Sequence, residues 1–269
     1  MSEPALLVER DGAVVTCTMN RPEARNALNP EMLVRMAEAW DLIDADDSIR
    51  VAILTGAKGC FCAGADLDKL VSRSLKGLPP EDDYEQKIRD DYKLIFKGLL
   101  RDYRLQTPLV AAIEGHCIAG GTEILQATDI RVAGESATFG ISEVKWSLFP
   151  TGGSTVRLRR QIPFTKAMEM LLTGDHYPAQ EAREMGLIGR VVKDGEALGE
   201  ARAIASKIAE NGPVAVREIK ASVLETEFLS EEEAMVIEYE HSMKVFATED
   251  AKEGPRAFKE KRKPAYKGS

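Results

Sequence analysis

The chain is poor in cysteine and histidine. Four cysteines (Cys17, Cys60, Cys62 and Cys117) are scattered through 269 residues, which does not make a disulfide framework. Cys60-Phe61-Cys62 separates its sulfurs by one residue, whereas zinc knuckles and dithiol redox motifs use two. His116, His176 and His241 show no HExxH or mixed Cys/His ligand spacing, so no metal is expected. No Gly-x-Ser-x-Gly elbow, Gly-x-Gly-x-x-Gly turn or Gly-Lys-Ser/Thr phosphate loop occurs, which argues against a serine hydrolase, a dinucleotide enzyme or a P-loop NTPase. No apolar run approaches the roughly 18 residues of a membrane span. The opening MSEPALLVERDG lacks the basic-then-apolar pattern of a signal peptide, so a cytoplasmic location is expected. The net charge of −8 gives nucleic-acid binding no support, because that surface needs a basic excess.

What remains is an ordinary soluble composition, 44% hydrophobic and 30% charged, in a chain long enough for one core plus an appendage. Residues 5–20 read as a hairpin split at Asp11-Gly12. Asn29-Pro30 opens a helix whose Met32, Leu33, Met36 and Trp40 fall at helical spacing. Continuous apolar runs at 51–56, 109–115, 129–134 and 188–192 predict buried, mostly parallel strands between helices, hence an α/β fold. A helical pattern occupies 84–104, and residues 66–84, with Pro79-Pro80, read as a mobile loop. Beyond 195 only helical patterns run to Lys261, broken at 211–213, 229–230 and 248. The chain therefore divides into a core (1–195) and an all-helical region (196–269). From Glu249 onward seven basic residues stand against four acidic ones, a basic tail suited to a phosphate-bearing ligand, an acidic neighbour or simple solvation.

Three segments carry chemistry. In Ala63-Gly64-Ala65-Asp66-Leu67, a strand passes through small residues into a helix start, where Asp66 is placed to cap. Ala119-Gly120-Gly121-Thr122-Glu123 repeats that plan. A helix start offers unpaired N–H donors and partial positive charge, both suited to an oxyanion. The third segment, Ser142-Glu143-Val144-Lys145-Trp146, places another first-turn glutamate among apolar neighbours. Taken singly, each has a bland reading as a loop, a structural glutamate or a surface glutamate. His116 reads as a core or rim histidine rather than a base.

In order along the chain, and together with Asn20-Arg21-Pro22-Glu23-Ala24-Arg25-Asn26-Ala27-Leu28, Leu171-Leu172-Thr173-Gly174-Asp175, Ala182–Ile188 and Glu253–Arg262, these segments resemble the crotonase (enoyl-CoA hydratase/isomerase) superfamily, most of all actinobacterial enoyl-CoA hydratases. The resemblance implies a spiral core of ββα turns and a helical C-terminal trimerisation region, assembled as a homotrimer or homohexamer. It implies an acyl-CoA thioester substrate with no separate cofactor, since coenzyme A belongs to the substrate. The thioester oxygen would meet the amides of Ala65 and Gly120. CoA contacts would fall on Arg25, Ala63, Ala65, Asp66, Leu67, Asp68 and Gly120, with Phe258 and Lys261 reaching in from a neighbouring subunit. Glu123 and Glu143 would add water across a trans-2-enoyl-CoA, giving a 3-hydroxyacyl-CoA as in β-oxidation. Which is acid and which base stays open, as do Δ3,Δ2-isomerisation and a non-catalytic CoA-binding role. Ala119, where a third glycine is usual, and Thr122 depart from the common wording. The bulky 142–150 stretch leaves the acyl group open, from short chains to a steroid side chain.

Overall fold

The computed structural model describes residues 3–73 and 76–269. Strands β1 (Leu6–Asp11) and β2 (Val14–Met19) form the expected antiparallel hairpin, turned at Gly12 with φ +57°. Helix α1 (Pro30–Ala45) starts as its sequence dictates. Pro30 sits at the first position, where no N–H partner is needed, and the Asn29 side chain accepts the Met32 N–H at 2.9 Å. Its apolar stripe of Met32, Leu33, Met36, Trp40 and Ile43 is fully buried.

The spiral follows from where successive strands go. A six-stranded sheet runs in the order β1-β2-β3-β4-β6-β9, with β3 (Val51–Gly56), β4 (Leu109–Ile113), β6 (Ile130–Gly134) and β9 (Arg190–Val192) all parallel to β2. A second sheet holds β5 (His116–Ile118), β7 (Thr138–Gly140) and β8 (His176–Pro178). Two turns, β4–β5 and β6–β7, thus send one strand to the large sheet and the next to the small one before a helix returns the chain. Between β3 and β4 lie α2 (Asp83–Asp90) and α3 (Lys93–Gly98). Helix α4 (Gly120–Leu125) follows β5. Helices α5 (Ser154–Gln161) and α6 (Phe164–Thr173) follow β7, and α7 (Ala179–Glu184) follows β8. Gly98 lets α3 press onto α1, since a Cβ there would lie 2.6 Å from the Leu33 carbonyl oxygen, and the Trp40 indole N–H donates to Gly98 O at 3.0 Å.

Three sequence expectations are corrected in detail. The small sheet has no counterpart in the predicted strands, because three-residue strands carry no readable periodicity. The pattern at 84–104 resolves into two short helices rather than one. Residues 66–84 are not wholly irregular. Leu67–Ser72 forms a wide helical turn, although Ser74 and Leu75 of that expected loop lie outside the described residues.

The last four helices are α8 (Ala197–Ala209), α9 (Pro213–Thr226), α10 (Glu231–Phe246) and α11 (Asp250–Glu260), interrupted where the sequence placed breaks. Helix α8 lays Ala197, Ala201, Ile204 and Ala205 on Val51, Ile53, Val110, Ala112 and Val132 of the large sheet. Small residues on the helix allow this close approach, and the sheet is covered on both faces as parallel strands require. Helices α9 and α10 pair with each other and leave Ile219, Val223, Met235, Val236, Tyr239, Met243 and Phe246 exposed.

Candidate active site

Two glycine turns are brought together by an extension of the small sheet. Cys62 pairs with Cys117 of β5, its N–H donating to His116 O at 2.8 Å and its carbonyl accepting from Ile118 N–H at 2.9 Å. Both strands then run into helix starts side by side. The contact is tight enough to demand glycine. Gly64 has φ +102°, and a Cβ there would fall 2.7 Å from Ala119 Cβ and 3.5 Å from Gly120 N. A Cβ on Gly120 would in turn lie 3.6 Å from Ala65 N. The Ala65 and Gly120 amides are therefore neighbours, and among the described residues neither N–H donates to an acceptor. Gly120 N–H is an orphan of the α4 start, carrying the helix's partial positive charge. Ala119, where glycine is usual, holds φ +52° and ψ −122°, a conformation that strains any side chain.

Glu123 and Glu143 lie close enough that the charge of one raises the pKa of the other, but their surroundings differ. Glu123, in the first turn of α4, is buried and accepts Ser154 N–H at 3.3 Å. Burial pushes its carboxyl above the usual range, while the amides of Gly152, Gly153 and Ser154 pull it back. Glu143, at the start of the turn Glu143–Trp146, has a buried Oε2 with no hydrogen-bond partner among the described residues. Burial and the Glu123 charge push it up to about 7. One carboxyl is thus cradled by the amides of a neighbouring loop; the other has only its own backbone N–H, leaves Oε2 unpaired and is half-protonated near neutrality. Groups whose surroundings separate their pKa values in this way can serve as base and acid in one reaction.

A match to the enoyl-CoA hydratase/isomerase family covers residues 9–269. The chain belongs to this family. It is similar to enoyl-CoA hydratase EchA19 of Mycobacterium tuberculosis, at 55% identity over 98% of this chain and 97% of that protein. The 2,3-dehydroadipyl-CoA hydratase of Escherichia coli is 33% identical over the full length of both. Among solved structures, an enoyl-CoA hydratase from Mycobacterium tuberculosis superimposes with a TM-score of 0.88 at 38% identity, covering 99% of this chain and 100% of that one.

In this enoyl-CoA hydratase/isomerase chain a cleft of about 390 Å³ joins Arg25, Ala63, Ala65 and Leu67 to Glu143. Arg25 is presented by a left-handed turn at φ +51°. The buried Asn26 secures that turn by donating to Cys60 O at 2.6 Å and Ala57 O at 3.1 Å. Gly120 and Glu123 are buried next to Ala119 and are not among the residues that line the cleft. Asp66 spends its carboxylate internally, capping the Leu67–Ser72 turn through Lys69 N–H at 3.1 Å and pairing with Arg21 at 3.0 Å. Asp68 is exposed on that turn. Phe258 and Lys261, on and just beyond α11, are exposed and do not line this cleft.

His116, which reads from the sequence as a core or rim residue, lines the cleft together with His176 and Lys145, neither of which carries a sequence signal for the site. Burial, Lys145 and His116 together hold His176 below the usual histidine range. Ser142 stands where a capping residue would, but its hydroxyl contacts His176 Nε2 at 2.7 Å instead of capping the turn. The signal that could have found these residues is the register of the small sheet, in which Ile118, Gly140 and His176 stand abreast. That register is invisible without the fold.

Proposed function

We propose that the chain adds water across the double bond of a trans-2-enoyl-CoA, with Glu123 as base and Glu143 as acid. The thioester carbonyl accepts hydrogen bonds from Ala65 N–H and Gly120 N–H, which stabilise the enolate as charge moves onto that oxygen. Glu123 takes a proton from water while the water oxygen bonds to C3. Glu143 delivers its proton to C2, and the carbonyl reforms as the 3-hydroxyacyl-CoA is completed. Two carboxyls exchange one proton each, so no cofactor beyond the CoA of the substrate enters the balance. The observation that carries the assignment is the contrast between the two groups. Glu123 has the amides of three residues, Gly152, Gly153 and Ser154, to favour its ionised form, while Glu143 has only its own backbone N–H and an unpartnered Oε2, and is pushed up to about 7. Isomerisation would shift a proton between carbons and needs no separate water-activating base.

The roles of the CoA-facing residues belong to the same reading. Arg25, Ala63 and Leu67 line the cleft, and the basic tail carrying Phe258 and Lys261 is free to reach a neighbour's CoA. The exposed apolar faces of α9 and α10 support assembly as a trimer or a dimer of trimers through the 196–269 region. No described helix is long and apolar enough to cross a membrane, in keeping with a cytoplasmic enzyme. The test is turnover of a 2-enoyl-CoA followed by the absorbance of the conjugated thioester, which falls on hydration and rises on isomerisation to the conjugated product. Glu123→Gln and Glu143→Gln should each lower kcat by about 10²-fold or more while CoA binding persists. A near-normal rate in either variant removes that residue from the mechanism.

A further inference from the structure

The unpaired Oε2 of Glu143 raises a question of support: what fixes the carboxyl's position when that oxygen makes no hydrogen bond? The turn that carries it is short, Glu143–Trp146, and lacks a side-chain cap. It is instead fastened at two points to the segment joining α6 and β8. On one side Ser142 Oγ contacts His176 Nε2 at 2.7 Å and lies 3.4 Å from Gly174 O. On the other, Lys145 Nζ pairs with Asp175 Oδ1 at 2.9 Å. Between the fastenings the two backbones are pressed together at Gly174. A Cβ there would meet Lys145 Cγ at 3.0 Å and Val144 Cγ1 at 3.1 Å, and φ is +68°. The β7–β8 pairing anchors the same segment, since Gly140 faces His176 in register and a Cβ on Gly140 would strike the His176 ring at 2.6 Å.

Resting on the hydratase reading above, we infer that Ser142, His176 and the Lys145–Asp175 pair form a two-point clamp that positions Glu143. Each member flanks the acid in sequence or touches a residue that does. Ser142 immediately precedes Glu143, Lys145 follows it by two, and both partners come from consecutive positions 175 and 176. The clamp substitutes for the hydrogen bond that Glu143 Oε2 lacks. A partner bonded to Oε2 directly would position the carboxyl but would also change its proton affinity. Holding the backbone from outside fixes the geometry and leaves the oxygen unpaired. Because two fastenings hold one short turn, either alone retains part of the geometry, and their loss together costs more than the separate losses combined.

The experiment compares kcat, KM and melting temperature for wild type, Ser142→Ala, Ser142→Thr, Asp175→Asn and the Ser142→Ala/Asp175→Asn double variant, using one 2-enoyl-CoA. Wild-type hydration is measured first, so that absence of turnover there refutes the proposed reaction rather than the clamp. With wild type active, Ser142→Ala and Asp175→Asn should each lower kcat about 3- to 10-fold with KM within about twofold. Ser142→Thr, which keeps a hydroxyl, should retain most of the rate. The double variant should fall by more than the product of the single losses. A rise in KM with kcat unchanged would overturn the clamp, because Ser142, Lys145 and His176 line the cleft and would then be binding substrate directly. Unchanged kcat in the double variant would overturn it equally. A melting temperature that falls in step with kcat across the series, with Ser142→Thr no better than Ser142→Ala, would make the contacts merely structural and likewise overturn it.

Discussion

A methyl group on Gly152 should disable Glu123 without touching it chemically. The three atoms nearest to a Cβ at Gly152 all belong to the Glu123 side chain, Oε2 at 2.6 Å, Cδ at 2.8 Å and Cβ at 2.9 Å, and the residue's φ lies outside the left-handed region. Alanine therefore fits the backbone but not the carboxylate. Ordinary contact begins near 3.4 Å, so Oε2 must retreat by about 0.8 Å, and misplacement on the order of 1 Å can cost about 10²-fold in rate. The retreat also draws the carboxylate from the amides of Gly152, Gly153 and Ser154, which presently pull its pKa down. Losing donors to the ionised form raises the pKa further, so the base is ionised only at higher pH. Gly152→Ala should thus show kcat reduced about 30- to 100-fold and an ascending pH limb displaced to alkaline pH. Binding of free CoA, read by calorimetry, should be unchanged, because nothing at the Arg25 side of the cleft moves. Wild-type turnover with an unshifted profile would show that the 152–154 loop does not set the position of Glu123.

Three further outcomes follow from the same geometry. Ala119→Gly should raise the melting temperature by about 2–4 °C, the equivalent of roughly 1 kcal/mol, since Ala119 is held at φ +52°; a lower melting temperature would show that the turn is not strained. Gly120→Ala, whose Cβ comes closest to the Leu28 Cδ1 methyl at 2.9 Å and keeps ordinary contact with the backbone, should retain measurable turnover, whereas Gly120→Pro deletes the amide and should be about 10²-fold slower; equal rates would refute the oxyanion role. Glu143→Gln should stabilise the fold above pH 7. With a folded pKa raised to about 7, the carboxyl's favourable contribution is complete below its unfolded pKa and disappears as pH rises through 7. The neutral amide escapes that loss, by on the order of 2 kcal/mol. Denaturant midpoints should therefore diverge from wild type between pH 5 and 8, and parallel midpoints would contradict the raised pKa.

Much of this was legible in the residues alone. Apolar runs at 51–56 and 109–115 had to be buried strands because no amphipathic alternation offered them a wet face. Asn29-Pro30 could open only a helix, and the small residues at 63–65 and 119–121 marked places where backbone comes close to something. The four C-terminal helices were delimited by their own breaks at Gly212-Pro213, Ser230 and Thr248. All these features act within a few residues, so linear order preserves them.

The tertiary structure decided what depends on distance across the fold. Strands β5, β7 and β8 exist only because each has partners to pair with, and three residues cannot declare a strand unaided. The amides that cradle Glu123 come from about thirty residues downstream, and the unpaired Oε2 of Glu143 is a property of the space around it. Burial and neighbouring charge made two chemically identical glutamates unequal. Composition and spacing could name that pair, but only the folded chain shows how differently the two are surrounded.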